Sequence, residues 1–276
     1  MSRSKEELQM LQSLPLDVKI RMTQTRIRQW VHEYGSDNVY VSFSGGKDST
    51  VLLDIVRDIY SDIEAVFVNT GLEYPEIQQF VKTFPNVTIL RPKMRFDEVI
   101  RKYGYPIIGK RQAACVDLGK KNIRDKKYSL RLLTLGISPE EAVKMGLTLP
   151  DDEILKRYEK SRKGSKFNVP KYRPLLDTDF LISDKCCDVM KKAPLYDFSK
   201  KTGKLPIMAT MASESMVRET VWIQYGCNMF DNKHPKSAPM SFWTEQDVLL
   251  YIKLYGKEMI ERRKEGFREI GMSDKD

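Results

Sequence analysis

Ser44-Gly45-Gly46-Lys47-Asp48-Ser49 constrains this chain more than any other stretch, because it joins a strand to a helix. Residues 39–43 are β-branched and aromatic, as a buried strand requires. Residues 48–60 place Val51, Leu52, Ile55, Val56 and Ile59 on one helical stripe. Between them, two glycines let the backbone turn sharply and aim several N–H groups into one concavity. A helix N-terminus behind that nest favours anions. Ser44 and Ser49 add hydroxyls and Lys47 adds a positive charge. The spacing of the ordinary ATPase phosphate loop is absent.

The same alternation continues along the chain. Strands are expected at 64–69, 86–90 and 205–210, and helices at 16–34, 75–84, 97–103 and 214–225. Pro75 suits the first turn of its helix. Ser138-Pro139-Glu140-Glu141 reads as a helix start, and Thr244-Glu245-Gln246-Asp247 as a capping box. Strands alternating with helices predict an α/β fold, a parallel twisted sheet with helices on both faces. The expected organisation is an N-terminal helical segment over 1–36, a main domain over 37–256 with a helical insertion near 105–170, and a basic tail over 257–276.

The 276 residues are 41% hydrophobic and 31% charged, which is globular rather than disordered composition. No apolar run is long enough to cross a bilayer, and the first residues lack a signal-peptide core. The cytoplasm is the expected compartment. The net charge of +9 fits an anionic small substrate or a polynucleotide. Basic residues are densest at 120–127 and 160–166. There is no zinc finger, basic zipper or aromatic ribonucleoprotein signature. His32 and His234 carry no catalytic pattern.

The Ser44–Ser49 loop resembles the pyrophosphate loop of the adenine-nucleotide α-hydrolase (PP-loop) superfamily. Three further segments narrow that resemblance: Asn69-Thr70-Gly71 with Pro75-Glu76, Cys186-Cys187 followed by Lys191 and Lys192, and Glu214-Ser215 with Arg218. In this order they resemble the phosphoadenosine phosphosulfate reductase family and its uncharacterised bacterial and phage members. The resemblance implies an adenine nucleotide, either ATP or an adenylyl sulfate, held by Ser44, Gly45, Gly46, Lys47, Asp48, Ser49, Thr70, Gly71, Glu76, Lys191, Lys192, Glu214, Ser215 and Arg218. It implies thiol-dependent reduction to sulfite, with Lys47, Asp48, Arg218 and Cys227 as catalytic residues. The other implied reading is an ATP-dependent adenylating sulfurtransferase of the DNA-phosphorothioation type with Mg²⁺, or a nucleotide-binding module without turnover.

The sequence departs from the family pattern in places. Asn69 stands where the family usually has aspartate, and Thr210-Met211-Ala212 replaces a Gly-x-Arg element. The family's paired cysteines can share a [4Fe-4S] cluster; here Cys186 and Cys187, with Cys227, are the expected ligands. Cys115 reads as an inert buried residue. Residues 265–276 contain no cysteine of the kind the family's reductases use as nucleophile, and the chain reads as though it continues past Asp276. Expected partners are a thiol donor such as thioredoxin or a cysteine desulfurase, a nucleic acid in the phosphorothioation reading, and a second copy in a homodimer, without a membrane.

Overall fold

The structure is a computed structural model and describes residues 3–165 and 167–269. Lys166 of the basic 160–166 run and residues 270–276 of the expected tail lie outside the described residues. In chain order, α1 (Lys5–Gln12) and α2 (Leu16–Tyr34) precede β1 (Val39–Ser42), α3 (Lys47–Ile59) and β2 (Ala65–Val68). Then come α4 (Pro75–Lys82), β3 (Val87–Leu90), α5 (Phe96–Tyr103), α6 (Lys110–Arg124) and α7 (Leu130–Thr134). Next are α8 (Pro139–Lys144), α9 (Asp152–Arg162), α10 (Lys185–Cys187) and α11 (Ala193–Thr202). The chain continues through β4 (Leu205–Met208), α12 (Met216–Tyr225), β5 (Asn228–Met229) and β6 (Lys236–Ser237) to α13 (Glu245–Tyr255) and α14 (Lys257–Glu269). It divides into two compact units, residues 1–92 with 193–276, and residues 93–192.

The first unit holds the sheet, in the order β3-β2-β1-β4-β6-β5. All neighbours are parallel except β5 and β6. The α/β fold read from the alternation is the observed one. β1 lies at the centre, and Val39, Tyr40 and Val41 are all buried, because a strand with helices on both faces has no solvent side. Alternation along β1 sends Tyr40 against Phe198 of α11, with ring centroids 5.2 Å apart. Phe43, on the other parity, meets Phe80 and Phe84 at the end of α4. At one edge, the outward Ile89 of β3 is exposed, and at the other the short antiparallel β5–β6 pair ends the ladder.

The helix stripes explain the packing. Val51, Leu52, Ile55 and Val56 of α3 are fully buried, on the stripe the sequence predicts. Trp243 is buried and its indole N–H donates to Thr23 Oγ1 at 2.9 Å, a satisfied core tryptophan. Lys19 is buried too; its ammonium meets Asp247 Oδ2 at 2.7 Å and the Gln12 carbonyl at 2.7 Å. Residues 257–269, within the expected basic tail, form α14. Arg262 donates to the Thr83 carbonyl and its guanidinium lies 5.2 Å from the Phe84 ring centroid, tying α14 to the end of α4.

The second unit is helical. Ala113, Cys115, Val116, Leu135 and Ile182 form one small core, and Tyr128, Leu132, Ile137, Ala142 and Leu147 another. Ser138 caps α8 by accepting from the Glu141 N–H at 3.2 Å, as its position predicts. A π-helical turn, Asp188–Lys192, follows α10.

Candidate functional site

The sheet order reverses beside β1, which has β2 on one side and β4 on the other, and α/β sheets bind ligands outside the strand carboxyl ends at such a point. Ser42 pairs with Val66 and with Met208, so the loops leaving β1, β2 and β4 start at one level. These loops carry Ser44–Ser49, Asn69–Glu76 and Ala212–Arg218. Three segments far apart in sequence therefore meet at one end of one sheet.

The first loop is a preformed nest. Gly45 has φ +71°, and a Cβ there would lie 2.8 Å from Ile77 Cγ2 and 3.1 Å from Val81 Cγ2, so both conformation and space require glycine. Ser44 Oγ and Ser49 Oγ are 3.0 Å apart, and Ser49 Oγ also accepts from the Ser44 N–H at 3.1 Å and donates to the Gly46 carbonyl at 3.0 Å. No side chain caps α3, which leaves its first-turn N–H groups facing outward for an anion.

Lys47 opens α3, with its Nζ 3.1 Å from Glu245 Oε1 and 3.5 Å from Asp48 Oδ1. The hydrogen bond it donates to Glu245 is the main cause raising the Lys47 ammonium above its ordinary value, so Lys47 stays charged. Asp48 Oδ1 is buried without a hydrogen bond, although it is an acceptor beside the nest. Glu245 had no signature in the sequence beyond its place after the Thr244 cap.

The β2 loop is held by a residue that sequence reasoning missed. Glu73 accepts from the Thr70 N–H at 2.8 Å and from Thr70 Oγ1 at 2.8 Å. Asn69 Oδ1 accepts from the Gly71 N–H at 2.9 Å, and its amide donates to Gln78 at 3.0 Å. Asn69 thus spends its side chain on the turn itself. Gly71 has φ +79° in open space. Glu76 is in the first turn of α4, with one carboxylate oxygen buried and unpartnered. After β4, Glu214 is ion-paired to Arg218 and accepts from the Met211 N–H at 2.8 Å. Ser215 Oγ caps α12 by accepting from the Arg218 N–H at 3.3 Å. The Glu214–Arg218 pair is thus an i,i+4 ion pair that also fixes the turn.

The remaining expected site residues lie in different surroundings. Cys186, Cys187, Lys191 and Lys192 belong to the second unit. Both cysteines are half-buried free thiols, and Lys192 meets Asp188 at 2.7 Å, which raises the lysine and lowers the carboxyl. Cys227 belongs to the first unit and is buried, with its sulfur 3.3 Å from Ser241 Oγ. Among the described residues no group of three or more His, Cys, Asp or Glu side chains is placed to hold a metal ion. The expected [4Fe-4S] cluster on Cys186, Cys187 and Cys227 thus finds no support among the described residues. Paired cysteines signal a cluster only when the fold brings further thiolates to them. Nor is any helix among the described residues long and apolar enough to cross a membrane.

Sheet, reversal point and loop together define an α/β protein of PP-loop fold. The chain matches the phosphoadenosine phosphosulfate reductase domain over residues 38–128. It is 27% identical over 154 residues to the adenosine 5′-phosphosulfate reductase of Geobacillus kaustophilus, covering 53% of this chain and 61% of that protein. Adenosine 5′-phosphosulfate reductase 2 of Bacillus subtilis is 25% identical over 156 residues, covering 54% and 62%. An uncharacterized protein of Methanocaldococcus jannaschii is 38% identical over 73 residues, covering 25% and 18%. The chain thus spans about three fifths of the length of these curated reductases and under a fifth of the archaeal protein.

Proposed function

We propose that this chain binds a sulfonucleotide, adenylyl sulfate or its 3′-phosphorylated form, and supports its thiol-dependent reduction to sulfite. One observation carries this reading: the Ser44–Ser49 nest leaves β1 directly beside the strand that delivers Arg218. The nest N–H groups and the α3 N-terminus hold the nucleotide phosphate. Lys47 exchanges Glu245 for phosphate oxygen, and Arg218 balances charge on the sulfate. The Asn69–Glu76 turn seats the nucleoside.

In the reaction a thiolate attacks the sulfur, and the bond from sulfur to the phosphate oxygen breaks. Its electron pair leaves with the nucleoside phosphate, and the thiol carries the sulfonate. A second thiol then attacks the carrier sulfur, and sulfite departs as a disulfide forms, so the dithiol supplies both electrons. We assign the thiols to an external dithiol protein such as thioredoxin rather than to the buried Cys227.

A second reading rests on Asp48. Its buried oxygen, 3.5 Å from the Lys47 ammonium and without a hydrogen bond, would hold a Mg²⁺ ion, which takes one or two carboxylates together with substrate phosphates and would supply charge neutralisation there. This supports ATP as substrate and adenylating sulfur transfer with a cysteine desulfurase as donor. The test is anaerobic incubation with ATP·Mg²⁺, adenylyl sulfate and its 3′-phosphorylated form, each with a dithiol, and chromatography of the nucleotides. Sulfite with AMP or its 3′-phosphate supports reduction. AMP and pyrophosphate from ATP, with both sulfonucleotides intact, replaces it with the second reading. Turnover of none of the three removes both.

A further inference from the structure

The basic run at 160–166 finds no use in the β1–β4 site, and one of its arginines belongs to a cluster within the second unit. Arg111 in the first turn of α6, Arg131 of α7 and Arg162 at the end of α9 line one pocket of about 60 Å³, with Gln112, Cys115 and Thr134. Three separate elements thus bring three guanidinium groups to one small space. Arg162 Nε is buried without a hydrogen-bond partner. The Arg111 guanidinium lies 3.9 Å from the Phe167 ring centroid, a stack that holds its plane while leaving its N–H edge free to donate.

The pocket lining contains no carboxylate, and three carboxylates of this unit are ion-paired outside the cluster. Glu141 pairs with Arg173, Asp117 with Lys121 at 3.1 Å, and Asp125 with Arg124 at 3.5 Å. Among the described residues, no carboxylate is ion-paired or hydrogen-bonded to the guanidinium of Arg111, Arg131 or Arg162. All three charges reach the buried Cys115: burial pushes its thiol up, and Arg131, Arg111 and Arg162 each oppose that. Three converging cations without a counter-charge repel one another, and an external anion relieves that repulsion. Guanidinium forks match the oxygens of a tetrahedral oxyanion, and a pocket of about 60 Å³ exceeds the ~10–15 Å³ that a single water needs.

We propose that Arg111, Arg131 and Arg162 form a binding site for the phosphate group of a small molecule, as free phosphate or a phosphate monoester. The enclosed scale of the pocket favours a single terminal phosphate over a polynucleotide backbone, which runs along open grooves. The site stands independently of the reading given to the β1–β4 loops.

The experiment is arginine modification with phenylglyoxal, read residue by residue by peptide mass spectrometry, on the full chain with inorganic phosphate or with chloride at equal ionic strength. Phosphate is expected to slow modification of Arg111, Arg131 and Arg162 together, while Arg124 reacts unchanged. In a Lys47→Ala background, titration calorimetry should then show phosphate binding that Arg131→Gln weakens about tenfold, the scale of one charge-assisted hydrogen bond. Arg131 is exposed, so this variant keeps the fold, and circular dichroism checks it. Arg162→Gln is the second variant and should weaken binding comparably. Equal modification rates with phosphate and chloride overturn the proposal. Protection by a single-stranded oligonucleotide but not by inorganic phosphate overturns it in favour of a polynucleotide surface.

Discussion

Lys47 Nζ lies 3.1 Å from Glu245 Oε1, across 198 residues of sequence, so the cation of the phosphate loop already has a counter-charge from α13. A phosphate entering the nest competes with that carboxylate for Lys47. Glu245→Gln is expected to strengthen nucleotide binding a few-fold at low salt, the scale of an exposed ion pair at about 0.2–1 kcal/mol. Lys47→Ala should weaken it at least about tenfold, since a charge-assisted hydrogen bond is lost. Titration calorimetry with adenylyl sulfate and ATP measures both, and equal affinity in wild type and Glu245→Gln would remove the competition.

The two glycine turns of the site should respond unequally to alanine. Gly45→Ala places a methyl against Ile77 and Val81 at a left-handed φ, and is expected to cost about 2 kcal/mol or more. Gly71→Ala meets no atom within 4 Å and should cost only about 1 kcal/mol, from backbone strain. Urea unfolding of both variants checks the ranking, which fails if Gly71→Ala is the worse.

The buried Lys19–Asp247 pair predicts an asymmetric loss. Lys19→Met leaves Asp247 still accepting from the Thr244 N–H at 2.7 Å and Thr244 Oγ1 at 2.8 Å, and should cost about 3 kcal/mol. Asp247→Ala takes the carboxylate from the Lys19 ammonium and removes the Asp247 half of the α13 capping box, so a further ~1 kcal/mol is expected. Thermal or urea denaturation of the two variants reads the difference, and equal losses would mean the cap contributes nothing.

Asp54 gives a pH dependence of known sign. Burial raises its carboxyl above the ordinary value, and Tyr251 partly offsets this through a 2.8 Å hydrogen bond. The folded state therefore holds the Asp54 proton to higher pH than the unfolded chain does. The stability this contributes is complete below the unfolded value, near pH 4, and is lost as pH rises through the folded one. Asp54→Asn still accepts from Tyr251 and should flatten the urea midpoint across that window while raising stability at neutral pH. An unchanged pH profile in the variant would show that Asp54 ionises alike in both states.

The local elements were legible because their signals are local. Residues 16–34 show an apolar periodicity and form α2 over the same span, and Ser138 and Thr244 cap the helices they precede. The strand, glycine turn and helix around Lys47 follow from β-branching, backbone freedom and a helical stripe within 22 residues, 39–60. α14 was not legible. Residues 257–269 are strongly charged, and their helix is held by Arg262 meeting Thr83 and Phe84, which no local window contains.

The sequence by itself determined an α/β chain with an anion-binding turn after its first strand, because chain stiffness, periodicity and capping act over a few residues. Only the tertiary structure decided what faces that turn. The order β3-β2-β1-β4-β6-β5 set the segment after β4, with Arg218 in α12, beside it, α13 brought Glu245 to Lys47, and the core closed over Cys227. In the second unit, the packing of three short helices gathered Arg111, Arg131 and Arg162. Each of these is a contact between residues distant in sequence, set by which elements pack together, and the residues themselves carry no mark of their partners.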